Sequence, residues 1–381
     1  MKTEQTKWTS AGGWSPAPPG RLSGAQWVLV FGAPEALRPR RVFDELRLAY
    51  PNAYILGCTT AGEILDTDVL DDTRVVTAVQ FDSVRVVGAS VAIANPTESR
   101  GVGAALARAL PLEDLRHVFV LAEGIHVNGS ELIEGLAEAL PAGVHATGGL
   151  AGDGTRFKET FVLANGPAET HRVSAVGLYG KGLRVGHGSL GGWDPFGPER
   201  LITRSRGNLL YELDGRSALA LYKNYLGEHA QHLPASALLF PLCVRPPDSR
   251  QWLVRTVLAV NEAEKSMTFA GDVPEGHVAR LMRANSDHLI EGAVAAADSG
   301  KNALNAEPEL ALLISCVGRK MVLKHRAVEE VEGVRGVLGT GVPVAGFYSY
   351  GEISPLTPNG RCELHNQTMT ITTFSEERGP A

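Results

Sequence analysis

Cysteine is scarce: four in 381 residues, at positions 58, 243, 316 and 362, with no two in a C-x-x-C pair. That spacing excludes a structural zinc cage and covalent heme attachment, and a long chain with few scattered thiols reads as cytoplasmic with its cysteines reduced. No window holds the roughly 18 apolar residues of a spanning helix, so no membrane segment is expected. An excess of basic charge is missing too, since 36 Lys plus Arg stand against 42 Asp plus Glu for a formal charge of −6. Nucleic acid is thereby disfavoured as a partner. The short cluster Arg38, Arg40 and Arg41 around Pro39 reads as a solvated loop or helix start. The first 25 residues lack an apolar stretch before a cleavage site, so residues 1–24 are expected to form a flexible tail, not a signal peptide.

What is present is a globular composition, 44% hydrophobic and 20% charged, with length for two domains. An internal repeat organises it. Val28-Leu-Val-Phe-Gly32 recurs 90 residues later as Val118-Phe-Val-Leu-Ala122, and the same offset carries Pro51 onto Pro141 and Ala61-Gly62-Glu63 onto Ala151-Gly152-Asp153. Between strand and proline, Val42, Phe43, Leu46 and Tyr50 match Leu132, Ile133, Leu136 and Leu140, the spacing of one helical face. A looser third copy runs from Leu310–Ile314 through a helix over 328–338 to Gly346–Ile353. Each unit reads as strand, helix, strand and a glycine turn ending in a carboxylate. Unalternating apolar strands imply sheets covered on both faces, an α/β (α+β) layered fold.

Antiparallel strands are expected at 74–81, 84–93, 159–164, 172–179 and 183–190, with turns at Asn165-Gly166-Pro167 and Gly180-Lys181-Gly182. A helix over 217–226, capped by Asp214, and a long helix from about 275 to 298 follow. The chain is expected to divide near 205, into domains 25–205 and 206–381.

Gly57-Cys58-Thr59-Thr60-Ala61-Gly62-Glu63-Ile64 resembles the G-C-S-T-A-G-E-I signature of the FIST N-terminal domain, with Thr59 where serine is common. Gly148-Gly149-Leu150-Ala151-Gly152-Asp153 resembles its second motif. Gly346–Ile353 and Cys362-Glu363-Leu364-His365-Asn366-Gln367-Thr368 resemble the paired signature of the FIST C-terminal domain. The resemblance spans about residues 25–375 and implies a sensory protein that binds a small, amino-acid-like ligand and acts with a histidine kinase or cyclic-di-GMP enzyme. No part of these 381 residues reads as an output domain, so a separate partner is implied; a homodimer is compatible. The size is also similar to that of the NosP-type hemoproteins, which implies heme b and nitric oxide as the alternative.

Gly57, Cys58, Thr59, Glu63, Gly149, Asp153, Tyr348 and Glu352 are the candidate ligand-binding residues, in a cleft between the domains. The glycines would let backbone approach a ligand and the carboxylates would meet an amine; equally, such glycines serve tight turns and such carboxylates bond nearby N–H groups. Cys58 reads as a buried small hydrophobe or, in a third reading, as a nucleophile. A heme would need an axial imidazole, for which His187, His277, His288 and His365 are candidates; His277 and His288 would share a helical face. Gly186-His187-Gly188-Ser189-Leu190-Gly191 matches G-x-G-x-x-G, but Pro195 and Pro198 follow where the dinucleotide motif needs a helix. No nucleophile elbow, H-E-x-x-H or phosphate loop is present. A non-enzymatic protein is therefore expected.

Overall fold

The computed structural model describes residues 1–357 and 360–377. The expected tail is a β-hairpin, β1 (Lys2–Thr9) and β2 (Gly13–Ser15), and β1 pairs antiparallel with residues 74–80. The correction has a physical reason: Glu4 and Thr6 alternate into buried positions, and Trp8 and Trp14 both pack on Arg74. A polar composition concealed a paired strand.

The first unit then runs β3 (Trp27–Gly32), α1 (Pro34–Leu37), α2 (Arg41–Ala49), β4 (Tyr54–Thr59), the hairpin β5 (Glu63–Leu65) and β6 (Asp68–Leu70), β7 (Arg74–Gln80) and β8 (Arg85–Ala92). The second repeats the order: α3 (Ser99–Arg108), β9 (Leu115–Ala122), α4 (Gly129–Ala139), β10 (His145–Leu150), β11 (Val162–Ala164), β12 (Ala168–Glu169), β13 (Arg172–Tyr179) and β14 (Leu183–Leu190). An insertion follows, with nine strands from β15 (Asp194–Pro195) to β23 (Val278–Arg283) and helix α5 (Ala218–Leu226). The third unit is α6 (Ser286–Leu304), β24 (Leu310–Cys316), α7 (Val317–Leu323), α8 (Ala327–Leu338), β25 (Val344–Ser349), β26 (Gly351–Pro355), β27 (Cys362–His365) and β28 (Met369–Glu376). The mixed α/β class and the repeated strand–helix–strand unit are as the apolar patterning implies.

The units exchange their hairpins in a closed cycle. β5 pairs with β25 of the third unit, β26 with β10 of the second, and β11 with β4 of the first. Each of the three units' sheets therefore has the same order, which the insertion's own nine-stranded sheet does not share: a donated hairpin, the second strand, the first strand, then two antiparallel strands. The outermost of these is β8 in the second sheet, β14 in the third and β1 in the first. The division expected near 205 falls within β16 (Arg200–Arg206), and strands from either side of it share two of the three units' sheets.

Close backbone approach explains the recurrent glycine. A Cβ on Gly57, Gly148 or Gly346 would lie 2.3, 1.8 and 1.8 Å from the carbonyl oxygens of Val30, Val120 and Leu313 on the parallel neighbour strand. The inner faces of the three sheets meet in one core. Trp27 stands edge-on to Phe119 and Phe374, at 5.4 and 6.0 Å between centroids, and Phe31 packs on Phe347 at 4.6 Å. Helices cover the outer faces: Val42 and Leu46 of α2 pack on Val28, Val30 and Ile55, and Leu132 and Leu136 of α4 pack beneath the second sheet.

The insertion has its own core around Leu210, Tyr222, Met267 and Phe269. The long helix expected over 275–298 is instead β23 (Val278–Arg283), paired with residues 242–245, followed by α6, with Asn285 capping Asp287 N. Strand pairing overrides the apolar spacing there. Ser217, not Asp214, caps α5 by accepting from Ala220 N; Asp214 sits in a positive-φ turn and accepts from Leu201 N and Arg200.

Candidate functional site

The glycine-turn residues do come together. Ala61 N donates to Tyr348 O and Tyr348 N to Gly62 O, both at 2.8 Å, while Gly152 N donates to Thr59 O at 2.9 Å. Thr59, Glu63, Gly149, Asp153, Tyr348 and Glu352 are nonetheless buried and bonded to one another or to adjoining backbone, without forming an open cleft. Glu63 accepts from Thr60 Oγ1, and from Thr73 N and Oγ1 at 3.2 and 2.6 Å. Glu352 repeats the pattern with Ser349 Oγ at 2.8 Å and Thr368 N and Oγ1 at 3.2 and 2.9 Å. Each carboxylate ties a donated hairpin to the strand that follows it. Burial pushes Glu63 up to about 7 and Glu352 up to about 8, against the opposing hydrogen bonds. Asp153 accepts N–H bonds from Phe157, Lys158 and Glu159, and Tyr350 OH donates to it, so it organises the 153–161 loop.

Cys58 is fully buried, and desolvation lifts its thiol far above the usual range. All four cysteines are buried and free. Native protein treated with iodoacetamide should show no carbamidomethyl cysteine by mass spectrometry until denaturant is added. Rapid native labelling of Cys58 would revive the nucleophile.

The four candidate heme ligands scatter. His187 lies on β14 against His145, at 5.4 Å between centroids, and burial holds it down to about 4. His365 Nε2 lies 2.8 Å from Ser354 O, and burial holds that ring at about 4. His288 is exposed on α6, 2.6 Å from Asp194, which raises its pKa. His277 sits in the turn before β23, so it shares no helical face with His288. Neither of the two cavities described below is lined by a histidine. These residues do not fit a heme.

An open polar site lies elsewhere, at the carboxyl end of β3, where α/β sheets place ligands. Trp8, Glu35, Ala36, Pro39, Arg41, Val42, Glu45 and Arg74 line a cavity of about 200 Å³. A second cavity, in the insertion core, is about 20 Å³, room for little more than one water. Arg74 faces Gly32 across the β3–β7 pairing and is only 3% exposed. Its guanidinium carbon lies 5.0 Å from the Trp8 ring and 4.7 Å from the Trp14 ring. Nη1 donates to Ala36 O at 3.3 Å, Nη2 is 3.7 Å from Glu45 Oε2, and Nε is buried without a partner. Burial lowers the Arg74 pKa while Glu45 opposes it. Glu35, on the rim, accepts from Arg156 of the 153–161 loop, which holds its carboxyl below the usual range.

None of these lining residues stood out in the sequence as binding residues. Trp8 and Trp14 were the available signal, two large rings in a segment too polar to look folded. Arg74, a charge opening an apolar strand, was the other.

The fold is one of three interlocked α/β units, with a polar cavity at the edge of the first sheet. The chain belongs to the FIST family: the FIST N domain matches residues 26–216 and the FIST C domain residues 218–355. These are sensory, ligand-binding domains of signal transduction. An uncharacterized protein of Mycobacterium bovis is 24% identical over 246 residues, 63% of this chain and 61% of that protein. Another, of Methanocaldococcus jannaschii, is 24% identical over 322 residues, 77% of this chain and 60% of that protein. The aligned part thus spans less than two thirds of the length of these relatives.

Among solved structures, a cyanuric acid hydrolase from A. caulinodans aligns with 99% of each chain at 10% identity and a TM-score of 0.41. A second cyanuric acid hydrolase aligns with 98% of this chain and 99% of its own, at 10% identity and a TM-score of 0.33. The expectation of a non-enzymatic protein is corrected here: these two solved structures are hydrolases. A likeness this distant assigns no reaction to this chain.

Proposed function

We propose that this chain senses a small zwitterionic, amino-acid-like ligand in the Arg74 cavity and reports its occupancy to a separate histidine kinase or cyclic-di-GMP enzyme. The observation that carries the reading is the buried Arg74 guanidinium, which lines a cavity that also holds two carboxylates. A ligand carboxylate beside this guanidinium would form a charge-assisted hydrogen bond, worth about 1.5–3 kcal/mol. Glu35 and Glu45 are placed for its ammonium, and Trp8, Pro39 and Val42 offer apolar surface to its side chain. Signalling then needs only a difference in affinity between two conformations, about 1.4 kcal/mol for each tenfold.

A thermal-shift screen of the standard amino acids, followed by calorimetry on any hit, tests this. Arg74→Gln should weaken the hit about 10- to 100-fold, the loss expected for a hydrogen bond to a charged group. Equal affinity in both proteins would move the site elsewhere.

A further inference from the structure

We infer that the N-terminal hairpin is a latched roof over the Arg74 cavity, with the Trp14–Glu45 hydrogen bond as its latch, so that ligand occupancy and hairpin closure form one equilibrium. The inference rests on the ligand reading above for the identity of what closes the roof, but the latch itself is read directly from contacts.

The pairing of β1 with β7 runs from Lys2 opposite Gln80 to Trp8 opposite Arg74 and stops there. Beyond that point the hairpin overhangs the sheet. β2 pairs with β1 alone, at three positions: Lys7 with Ser15, Trp8 with Trp14 and Thr9 with Gly13. The turn between them is exposed. A segment with so few ladder bonds belongs to the part of a fold that opens locally at low cost.

Side chains hold this overhang down. Trp8 and Trp14, opposite each other across the hairpin, both lie on the Arg74 guanidinium, and Trp8 also forms cavity wall. Trp14 Nε1 donates to Glu45 Oε1 at 2.6 Å, reaching from the hairpin to α2, whose Glu45 also lines the cavity. Glu45 thus faces two ways. One oxygen receives the roof and the other turns toward Arg74 and the cavity. A cationic ligand group at Glu45 and an anionic one at Arg74 would engage both residues that the two indoles rest on. The filled cavity would therefore favour the closed hairpin.

Hydrogen exchange of the full-length protein, with Trp14→Phe as the variant, provides the test. Phenylalanine keeps an aromatic ring and removes only the indole N–H. Without ligand, amides of residues 9–15 should exchange about tenfold or more faster in the variant, with residues 2–7 unchanged. Unchanged exchange at 9–15, or an equal rise throughout 2–15, overturns the latch. The amino acid found by thermal shift is the second probe. It should slow exchange at 9–15 in the wild type, and less so in the variant. A bound amino acid that leaves 9–15 unaffected removes the roof but not the ligand reading. If no amino acid binds while Trp14→Phe frees the tip, the ligand reading fails and the latch stands.

Discussion

Arg319→Met should lower the unfolding free energy by about 3–5 kcal/mol, the cost of breaking a buried ion pair from one side. Arg319 and Glu330 are both wholly buried between α7 and α8. The guanidinium donates to Glu330 Oε2 through Nε at 3.1 Å and Nη2 at 2.8 Å, and also to the carbonyls of Gly191 and Leu289. The other Glu330 oxygen receives Ser315 Oγ and Tyr348 OH, at 3.2 and 2.9 Å. Arg319 therefore ties the third unit's helices to the entry of the insertion, and methionine would strand a carboxylate in the core. Denaturant titration should show the midpoint falling with the slope preserved. Adding Glu330→Gln should return part of the loss, because the orphaned charge goes with it. A single variant within about 1 kcal/mol of wild type would mean that water reaches Glu330.

The second large effect is on pH dependence. Glu352, pushed up to about 8 by burial, holds its proton in the fold over a range where an ordinary glutamate has lost it. Between its ordinary value of 4.5 and about 8 the native state therefore binds more protons than the unfolded chain, so stability falls as pH rises through that window. From pH 6 to pH 8 this amounts to about 2 kcal/mol for Glu352. Glu63, pushed up to about 7, adds a smaller loss of the same sign. Buried His117, His187 and His365, held down to about 3, 4 and 4, act oppositely. Their contribution is lost as pH falls below the ordinary imidazole value. The signature is therefore a difference: Glu352→Gln should gain about 2 kcal/mol on wild type between pH 6 and pH 8 in parallel denaturant titrations. A constant offset across that range would mean that Glu352 is ionised throughout.

The repeat was legible because tight packing leaves marks at fixed spacing. Gly57 and Gly346 head matching signatures because a neighbouring carbonyl occupies the Cβ position, and the apolar strands recur because the units' central strands are buried on both faces. The use of the turns was harder to read. Glu63 and Glu352 look the same in sequence whether they await a ligand or satisfy Thr73 and Thr368, and only the fold shows the latter. The hairpin exchange left no mark at all, since a strand carries no record of which neighbour it pairs with. The cavity joins Trp8, Glu45 and Arg74 from three elements, each ordinary in its own local sequence.

The cyclic exchange of hairpins also bears on how such a chain can change over generations. β5, β11 and β26 each complete a sheet begun by another unit, so losing any one would leave an open edge elsewhere in the ring. A gene split between the two family domains would part strands that complete each other, whereas the strands and helix between β14 and α6 form a separate core outside the cycle. Descent would then hold the ring nearly fixed in architecture and leave that insertion as the place where lineages can diverge.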